Sequence, residues 1–141
     1  AAKWDIGAYE AMNIFADTDE NGMPDGWEYE YYGWPVSGAN PYGHDDTDSV
    51  NNIEESIADT DPFDASSYLC FTNIFCDGNW RTLQFRSSAN RLYTLQITTN
   101  LAVASSWTNG GYVDQRGNGG TRSWKETNSP VVADRILVEL P

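Results

Sequence analysis

Twelve residues, 17 to 28, constrain the fold of this chain more than any other stretch. They read Asp-Thr-Asp-Glu-Asn-Gly-Met-Pro-Asp-Gly-Trp-Glu, with side-chain oxygens at positions one, three and five, a glycine at six, and acids at nine and twelve. Short side chains spaced two residues apart converge on one point only if the backbone curls tightly, and Gly22 can supply the positive φ for that curl. Hard oxygen ligands without nearby Cys or His favour Ca²⁺ over zinc or copper. The stretch therefore predicts a calcium loop.

The spacing matches the EF-hand loop template at each of its positions. The alternative, a solvated acidic turn, would not require the glycine and the final Glu in register. The predicted ligands of this first loop are the side chains of Asp17, Asp19, Asn21, Asp25 and Glu28 and the carbonyl of Met23.

A second loop follows at an offset of 27 residues and departs from the template twice. His44 occupies position one and is a poor ligand for a hard cation, so we expect Asp45 or a distant carboxylate to substitute and His44 to lie at the surface. Ser49 replaces the glycine, which predicts a more strained or slightly different curl. The predicted ligands are Asp46, Asp48, the Val50 carbonyl, Asn52 and Glu55, assisted by Asp59 or Asp61. We expect two Ca²⁺ sites, the first loop being the better match.

Charge is distributed unevenly along the chain. Residues 1–64 carry 16 acidic residues against one lysine, whereas residues 65–141 carry seven bases against five acids. Such an acidic half repels itself unless cations bind, and it would be repelled by nucleic-acid phosphates. We therefore expect divalent ions as partners and no nucleic acid. No apolar run approaches the roughly 20 residues that span a bilayer, so membrane insertion is not expected.

Short helices are predicted after each loop. The first covers Met23 to Tyr32, with Pro24 in its first turn and Gly33 after its end. The second places Val50, Ile53 and Ile57 on one face.

From residue 67 onward, apolar residues alternate with polar ones in short runs punctuated by Gly and Asn, which indicates an antiparallel β-sandwich. The six predicted strands are Tyr68 to Phe75, Trp80 to Arg86, Arg91 to Thr98, Ser106 to Val113, Gly120 to Glu126 and Ile136 to Leu140. The predicted fold class is thus mainly β, with a small α segment of paired EF-hand-like calcium loops.

Two cysteines, Cys70 and Cys76, lie six positions apart. An even count at close spacing in a calcium-dependent chain favours a local disulfide and an oxidising compartment. Two buried free thiols are the alternative.

Two parts of the chain resemble known families. Residues 17–64, with Asp-Thr-Asp-Glu-Asn-Gly-Met-Pro-Asp-Gly-Trp-Glu and Asn-Asn-Ile-Glu-Glu-Ser-Ile-Ala-Asp-Thr-Asp-Pro, resemble thrombospondin type 3-like calcium repeats of bacterial secreted and surface proteins. A dockerin is the related alternative, although dockerin loops usually end in Asp. Residues 65–141 resemble the immunoglobulin-like or fibronectin type III-like modules that follow such repeats.

Residues 1–16 are predicted to be an extended lead-in. Asp-Ile-Gly-Ala-Tyr-Glu within them resembles the ending of secreted bacterial parallel β-helix proteins. That resemblance implies that the chain is the C-terminal portion of a longer protein.

These patterns predict a secreted, non-enzymatic module that spaces, anchors or adheres within an extracellular assembly such as a filament or cell surface, its partners being neighbouring domains or subunits. A single His and the absence of nucleophile or nucleotide motifs argue against catalysis. The alternative is a carbohydrate-binding module, because six Trp and eight Tyr exceed the needs of a small core. Candidate rings for glycan stacking are Trp34, Trp107 and Trp124.

Overall fold

The computed structural model describes residues 13–35, 38–127 and 133–141. The chain divides into two compact units between Ser67 and Tyr68, three residues beyond the expected boundary. The predicted extended lead-in falls almost entirely on residues 1–12, which lie outside the described residues.

The first unit contains two short helices, α1 (Asp25–Tyr32) and α2 (Asn52–Ala58). Helix α1 starts after Pro24 and ends at Gly33, whose φ of 77° permits the left-handed cap. Helix α2 begins with a capping box, in which the Asn51 side chain accepts from Glu54 N and the Glu54 carboxylate accepts from Asn51 N. The predicted start of α1 at Met23 is two residues early, because Pro24 is extended.

The two loops share the same backbone hydrogen bonds at an offset of 27 residues. In each repeat three bonds close the neck of the loop and fix the start of the helix. In the first repeat the bonds run from Ala16 N to Asn13 O, from Asp25 N to Ala16 O and from Gly26 N to Ile14 O. The corresponding bonds of the second repeat run from Gly43 N to Asn40 O, from Asn52 N to Gly43 O and from Ile53 N to Pro41 O. The weak sequence repeat is therefore also a repeat of structure.

The buried Trp27 side chain connects α1 to the segment that follows α2. Trp27 is 2 % exposed, contacts the rings of Tyr31 and Tyr32, and donates from Nε1 to Thr60 O at 2.9 Å. In α2, however, Ile53 and Ile57 are only half-buried, and the fully buried side chains include the polar residues Asn52, Glu55 and Ser56. The residues of the predicted apolar face are thus less buried than the polar residues of the same helix.

The second unit consists of two antiparallel sheets. Its strands are β1 (Phe71–Asp77), β2 (Trp80–Arg86), β3 (Leu92–Thr98), β4 (Thr108–Asn109), β5 (Gln115–Arg116), β6 (Thr121–Thr127) and β7 (Ala133–Glu139). In the first sheet the order is β1–β2–β6. In the second sheet β3 pairs with β7 along its length and with the short β4 and β5.

Side chains from both sheets share one hydrophobic core, made of Leu83, Phe85 and Trp124 from the first sheet and Tyr93 and Leu95 from the second. The mainly-β class with two short helices is confirmed, and the immunoglobulin-like or fibronectin-like sandwich stays a prediction. No helix in the described part of the chain is long and apolar enough to cross a bilayer.

One ion-paired cluster links the two sheets. Arg81 on β2 bonds to Glu126 on β6 and, at 2.6 Å, to Asp134 on β7. Burial raises the pKa of Asp134 to about 6, Arg81 opposes that shift, and Glu126 adds to it.

Of the predicted strand from Ser106 to Val113, only Thr108–Asn109 (β4) is a strand. A 3₁₀ turn (Ala104–Ser106) precedes it. Gly110 explains part of this, because its backbone lies against the ring of Trp124 and donates to Leu95 O at 2.8 Å.

The predicted disulfide is not formed, and both cysteines are free. Cys76 lies in β1 and Cys70 just before it, so about 20 Å of extended chain separates them, whereas disulfide-bonded Cα atoms lie within about 7 Å. Cys76 is exposed and Cys70 half-buried, so neither matches the buried-thiol alternative.

Candidate metal centre

The second loop brings three carboxylates together. Asp46, Asp48 and Glu55 each offer an oxygen, and these atoms lie within 4.8 Å of one another. The two aspartates are half-buried on the loop, while Glu55 projects from α2 and is fully buried. These positions are three, five and twelve of the predicted loop. The group could hold a metal ion.

In each aspartate of this group, one carboxylate oxygen accepts a backbone hydrogen bond and the other does not. Asp46 Oδ1 accepts from Asp48 N at 2.8 Å, and Asp48 Oδ1 accepts from Val50 N at 2.7 Å, so these atoms shape the loop. The other oxygen of each, Oδ2, is buried and has no hydrogen-bond partner among the described residues. Glu55 Oε2 and Asn52 Oδ1 are buried without a partner as well.

Buried acceptors without partners are costly, since each loses its bonds to water. Two unit charges 4.8 Å apart also repel by about 3.5 kcal/mol at an effective dielectric constant of about 20. Burial, followed by the charges of Asp46 and Asp48, raises the pKa of Glu55 to about 7. Residues 4–67 contain no lysine or arginine that could neutralise the group. The donor set therefore fits a bound divalent cation.

The first loop is hydrogen-bonded internally instead. Asn21 N and Gly22 N donate to the two oxygens of Asp17 at 3.0 and 2.8 Å. The Asn21 side chain donates from Nδ2 to Asp19 Oδ2 at 3.1 Å and to Glu28 Oε1 at 3.2 Å. Within the described residues, no three acids of this loop meet at the distance found in the second loop. The structure thus assembles the carboxylates of the loop that the sequence ranked second.

Position five accounts for much of this difference. In both loops its Oδ1 accepts from the backbone N–H two residues later, at 2.7 Å in each case. The remaining atom is an oxygen in Asp48 but an NH₂ group in Asn21. That NH₂ donates to the carboxylates at positions three and twelve, which in the second loop have no such donor.

Position nine braces the loop in both repeats by bonding to position two. Asp25 uses both oxygens, accepting from Thr18 N at 2.8 Å and from Thr18 Oγ1 at 2.5 Å, so its carboxylate is committed to the loop and not free to be the predicted ligand. In the second loop the donor and acceptor are exchanged, because position nine donates: Asn52 Nδ2 bonds to Asp45 Oδ2 at 3.2 Å.

The remaining predicted ligands lie outside the three-carboxylate group. His44 is exposed, as expected, and its Nδ1 lies 2.9 Å from the Val50 carbonyl. Asp45, the expected substitute for position one, accepts hydrogen bonds from the Tyr32 hydroxyl and from Asn52 Nδ2. Met23 is fully buried. Asp61 accepts a hydrogen bond from Phe63 N, and Asp59 is the left-handed C-cap residue of α2.

The three rings predicted to stack on glycans occupy different environments. Trp124 is 6 % exposed in the core of the second unit, because β6 points it inward, so its predicted role is wrong. One face of Trp107 is covered by the Arg135 guanidinium at 4.4 Å. Trp34 is exposed. The sequence analysis did not single out Phe75 and Trp80, which are exposed on β1 and β2, although Lys125 Nζ lies over the Trp80 ring at 4.9 Å from its centroid.

Comparisons with protein-family models, with curated proteins and with solved structures found no match.

Proposed function

We propose that the first unit is a Ca²⁺-binding module and that its second loop is the tighter site. One observation carries this proposal: four buried oxygens, from Asp46, Asp48, Asn52 and Glu55, have no hydrogen-bond partner within the described part of the chain, in a stretch without lysine or arginine. An irregular, all-oxygen loop suits Ca²⁺ better than Mg²⁺, which demands near-octahedral geometry and keeps its waters.

The first loop is the weaker site in this proposal. A cation there has to compete with the Asn21 amide for Asp19 and Glu28, and the amide bonds are lost when it binds. Both loops thus bind Ca²⁺, with unequal affinities and in the order opposite to that suggested by the sequence.

The biological role we propose is structural. Two helices of eight and seven residues are too short to be stable alone, so bound cations contribute to the fold. Extracellular modules bind Ca²⁺ with Kd around 10⁻⁴–10⁻³ M, which suits a secreted or surface protein. The second unit then acts as a β-sandwich module that contacts neighbouring domains or subunits, without a catalytic role.

The test is a calcium titration by calorimetry with native mass spectrometry of the wild-type chain and two reciprocal variants. Asp48→Asn gives the second loop the position-five amide of the first, and we expect it to lose the tighter site. Asn21→Asp gives the first loop the carboxylate of the second, and we expect it to gain affinity. A wild-type chain that binds no Ca²⁺ at 10 mM contradicts the proposal.

A second candidate function, carbohydrate binding, is favoured by one sheet face. Phe75 and Trp80 are 54 % and 46 % exposed, and strand alternation and register place them on the same face of β1–β2–β6. Beside them a polar row joins Asn73 to Gln84 and Gln84 to Ser123 by side-chain hydrogen bonds. Aromatic rings next to hydrogen-bonding groups suit sugars. Retardation in glycan-containing gels, abolished by Trp80→Ala but not by Trp107→Ala, is the expected result.

A further inference from the structure

The last residue of α1 reaches from the first repeat into the second loop. Tyr32 donates its hydroxyl to Asp45 Oδ2 at 2.5 Å. Its ring is held by Trp27, with centroids 5.8 Å apart, and by an edge contact to Phe63 at 5.4 Å. Burial and the bond to Asp45 raise the pKa of Tyr32, so the hydroxyl stays a donor.

Asp45 connects Tyr32 to Asn52 through a second hydrogen bond. The same Oδ2 accepts from Asn52 Nδ2 at 3.2 Å, and that nitrogen also donates to Asn40 O at 3.0 Å. Both bonds fix the NH₂ branch of the amide, and therefore fix the opposite branch too. Oδ1, which is buried without a partner, is held on the side away from Asp45 and Asn40.

The first loop has no equivalent connection. Its brace between positions nine and two, Asp25 to Thr18, is not extended by a residue of the other repeat in any described hydrogen bond. The residue 27 positions after Tyr32 is Asp59, which cannot donate a hydroxyl. The connection thus runs in one direction, from the first repeat to the second loop.

We propose that Tyr32 is a positioning residue for the second cation site and that, through Asp45, it holds the Asn52 carbonyl oxygen as a fourth oxygen donor. The inference rests on the proposed calcium function. If Tyr32 has this role, the second site has its fourth oxygen donor in place only when α1 is folded beside it. The calcium affinity of that site then depends on the first repeat.

The experiment compares Tyr32→Phe with Tyr42→Phe in the full chain. Phenylalanine keeps the ring at position 32 and removes only the hydroxyl, while Tyr42 is 76 % exposed and serves as the matched control. Calorimetric titration with CaCl₂ should show the Kd of the tighter site raised about tenfold in Tyr32→Phe, the lower end for lost outer contacts of metal ligands. The control should bind like the wild type.

A double-mutant cycle tests the route through Asp45. Asp45→Ala removes the acceptor and a nearby charge, so it should weaken binding at least as much. Adding Tyr32→Phe to Asp45→Ala should change nothing further, since both act through one link. Additive losses would show that Tyr32 acts by another route and would overturn the proposal.

A purely structural role for the hydroxyl gives a different result. Tyr32→Phe would then lower the melting temperature in EGTA while the Kd, measured where near-ultraviolet circular dichroism shows folded protein, stays at the wild-type value. That outcome overturns the proposal and leaves the calcium function intact. If the wild type and Tyr42→Phe bind no Ca²⁺, the calcium function itself fails.

Discussion

Replacing Glu55 by glutamine should affect stability in opposite ways with and without calcium. Glu55 is fully buried beside two other carboxylates, and its pKa is raised from 4.5 to about 7. Because the folded pKa is raised, the stability that this group contributes is present below its ordinary pKa and is lost as the pH rises through about 7. At pH 8 the ionised side chain therefore destabilises the first unit.

The size of the stability change follows from the pKa shift of Glu55. One pKa unit corresponds to about 1.4 kcal/mol, and allowing for solvent relaxation we expect Glu55→Gln to stabilise the cation-free unit by about 1–3 kcal/mol at pH 8. For a unit of this size that raises the melting temperature by roughly 4–24 °C. The wild type should instead gain about 2.7 kcal/mol from Ca²⁺ at 100 times its Kd, and the variant should gain little of this.

The assay is differential scanning calorimetry at pH 8 in EGTA and in saturating CaCl₂. Glu54→Gln is the matched control, because Glu54 is the exposed neighbour on α2 and glutamine preserves its capping box. The control should show the wild-type calcium shift. A Glu55→Gln variant that melts lower than the wild type in EGTA and keeps the full calcium shift would refute the reasoning.

Three further predictions concern the second unit. Since the pKa of Asp134 is raised to about 6, its contribution to stability is lost as the pH rises through 6; the unit should melt higher at pH 5.5 than at pH 7.5, and Asp134→Asn should reduce that difference. Gly110→Ala should cost about 1–3 kcal/mol, because its Cβ would overlap Trp124, whereas Gly111→Ala, with its nearest atom at 3.9 Å, should change the urea midpoint little. Without reductant, the intact mass should correspond to two free thiols, the exposed one reacting faster with iodoacetamide; a mass lower by two hydrogens would contradict this.

Local signals in the sequence predicted the elements well where backbone chemistry decides them. Pro24 and Gly33 bound α1 because one fixes φ and the other tolerates the left-handed cap. Gly78, with φ of 56°, forms the turn that pairs Asp77 with Trp80 in the β1–β2 hairpin.

The sequence failed where a side chain's direction decides its role. A template counts Asn21 and Asp25 as oxygen donors, but hydrogen bonds made elsewhere in the loop turn an NH₂ group of one toward the carboxylates and occupy both oxygens of the other. Similarly, the number of aromatic residues does not show that Trp124 points into the core while Trp80 points out.

The two loops act as internal controls for each other, because their necks share the same backbone hydrogen bonds while their tips differ. In the first loop, Glu20 and Gly22 adopt positive φ of 58° and 91°, which accompanies the donation of two backbone N–H groups to Asp17 at position one. In the second loop, position one is His44, which offers no carboxylate to receive them, and Ser49 is not among the described residues with positive φ.

The differences between the two loops at positions one, five and six therefore act together. Because position one carries no carboxylate, no acceptor there favours the left-handed conformation at the tip of the loop. Because position five is Asp and not Asn, it has no amide NH₂ that could donate to the other acidic side chains. In the first loop the Asn21 amide donates to Asp19 and Glu28, whereas the Oδ2 atoms of Asp46 and Asp48 in the second loop are buried without a partner among the described residues. The number of unpartnered buried oxygens, more than the match to a ligand template, is then the physical reason to expect the tighter cation site in the second loop.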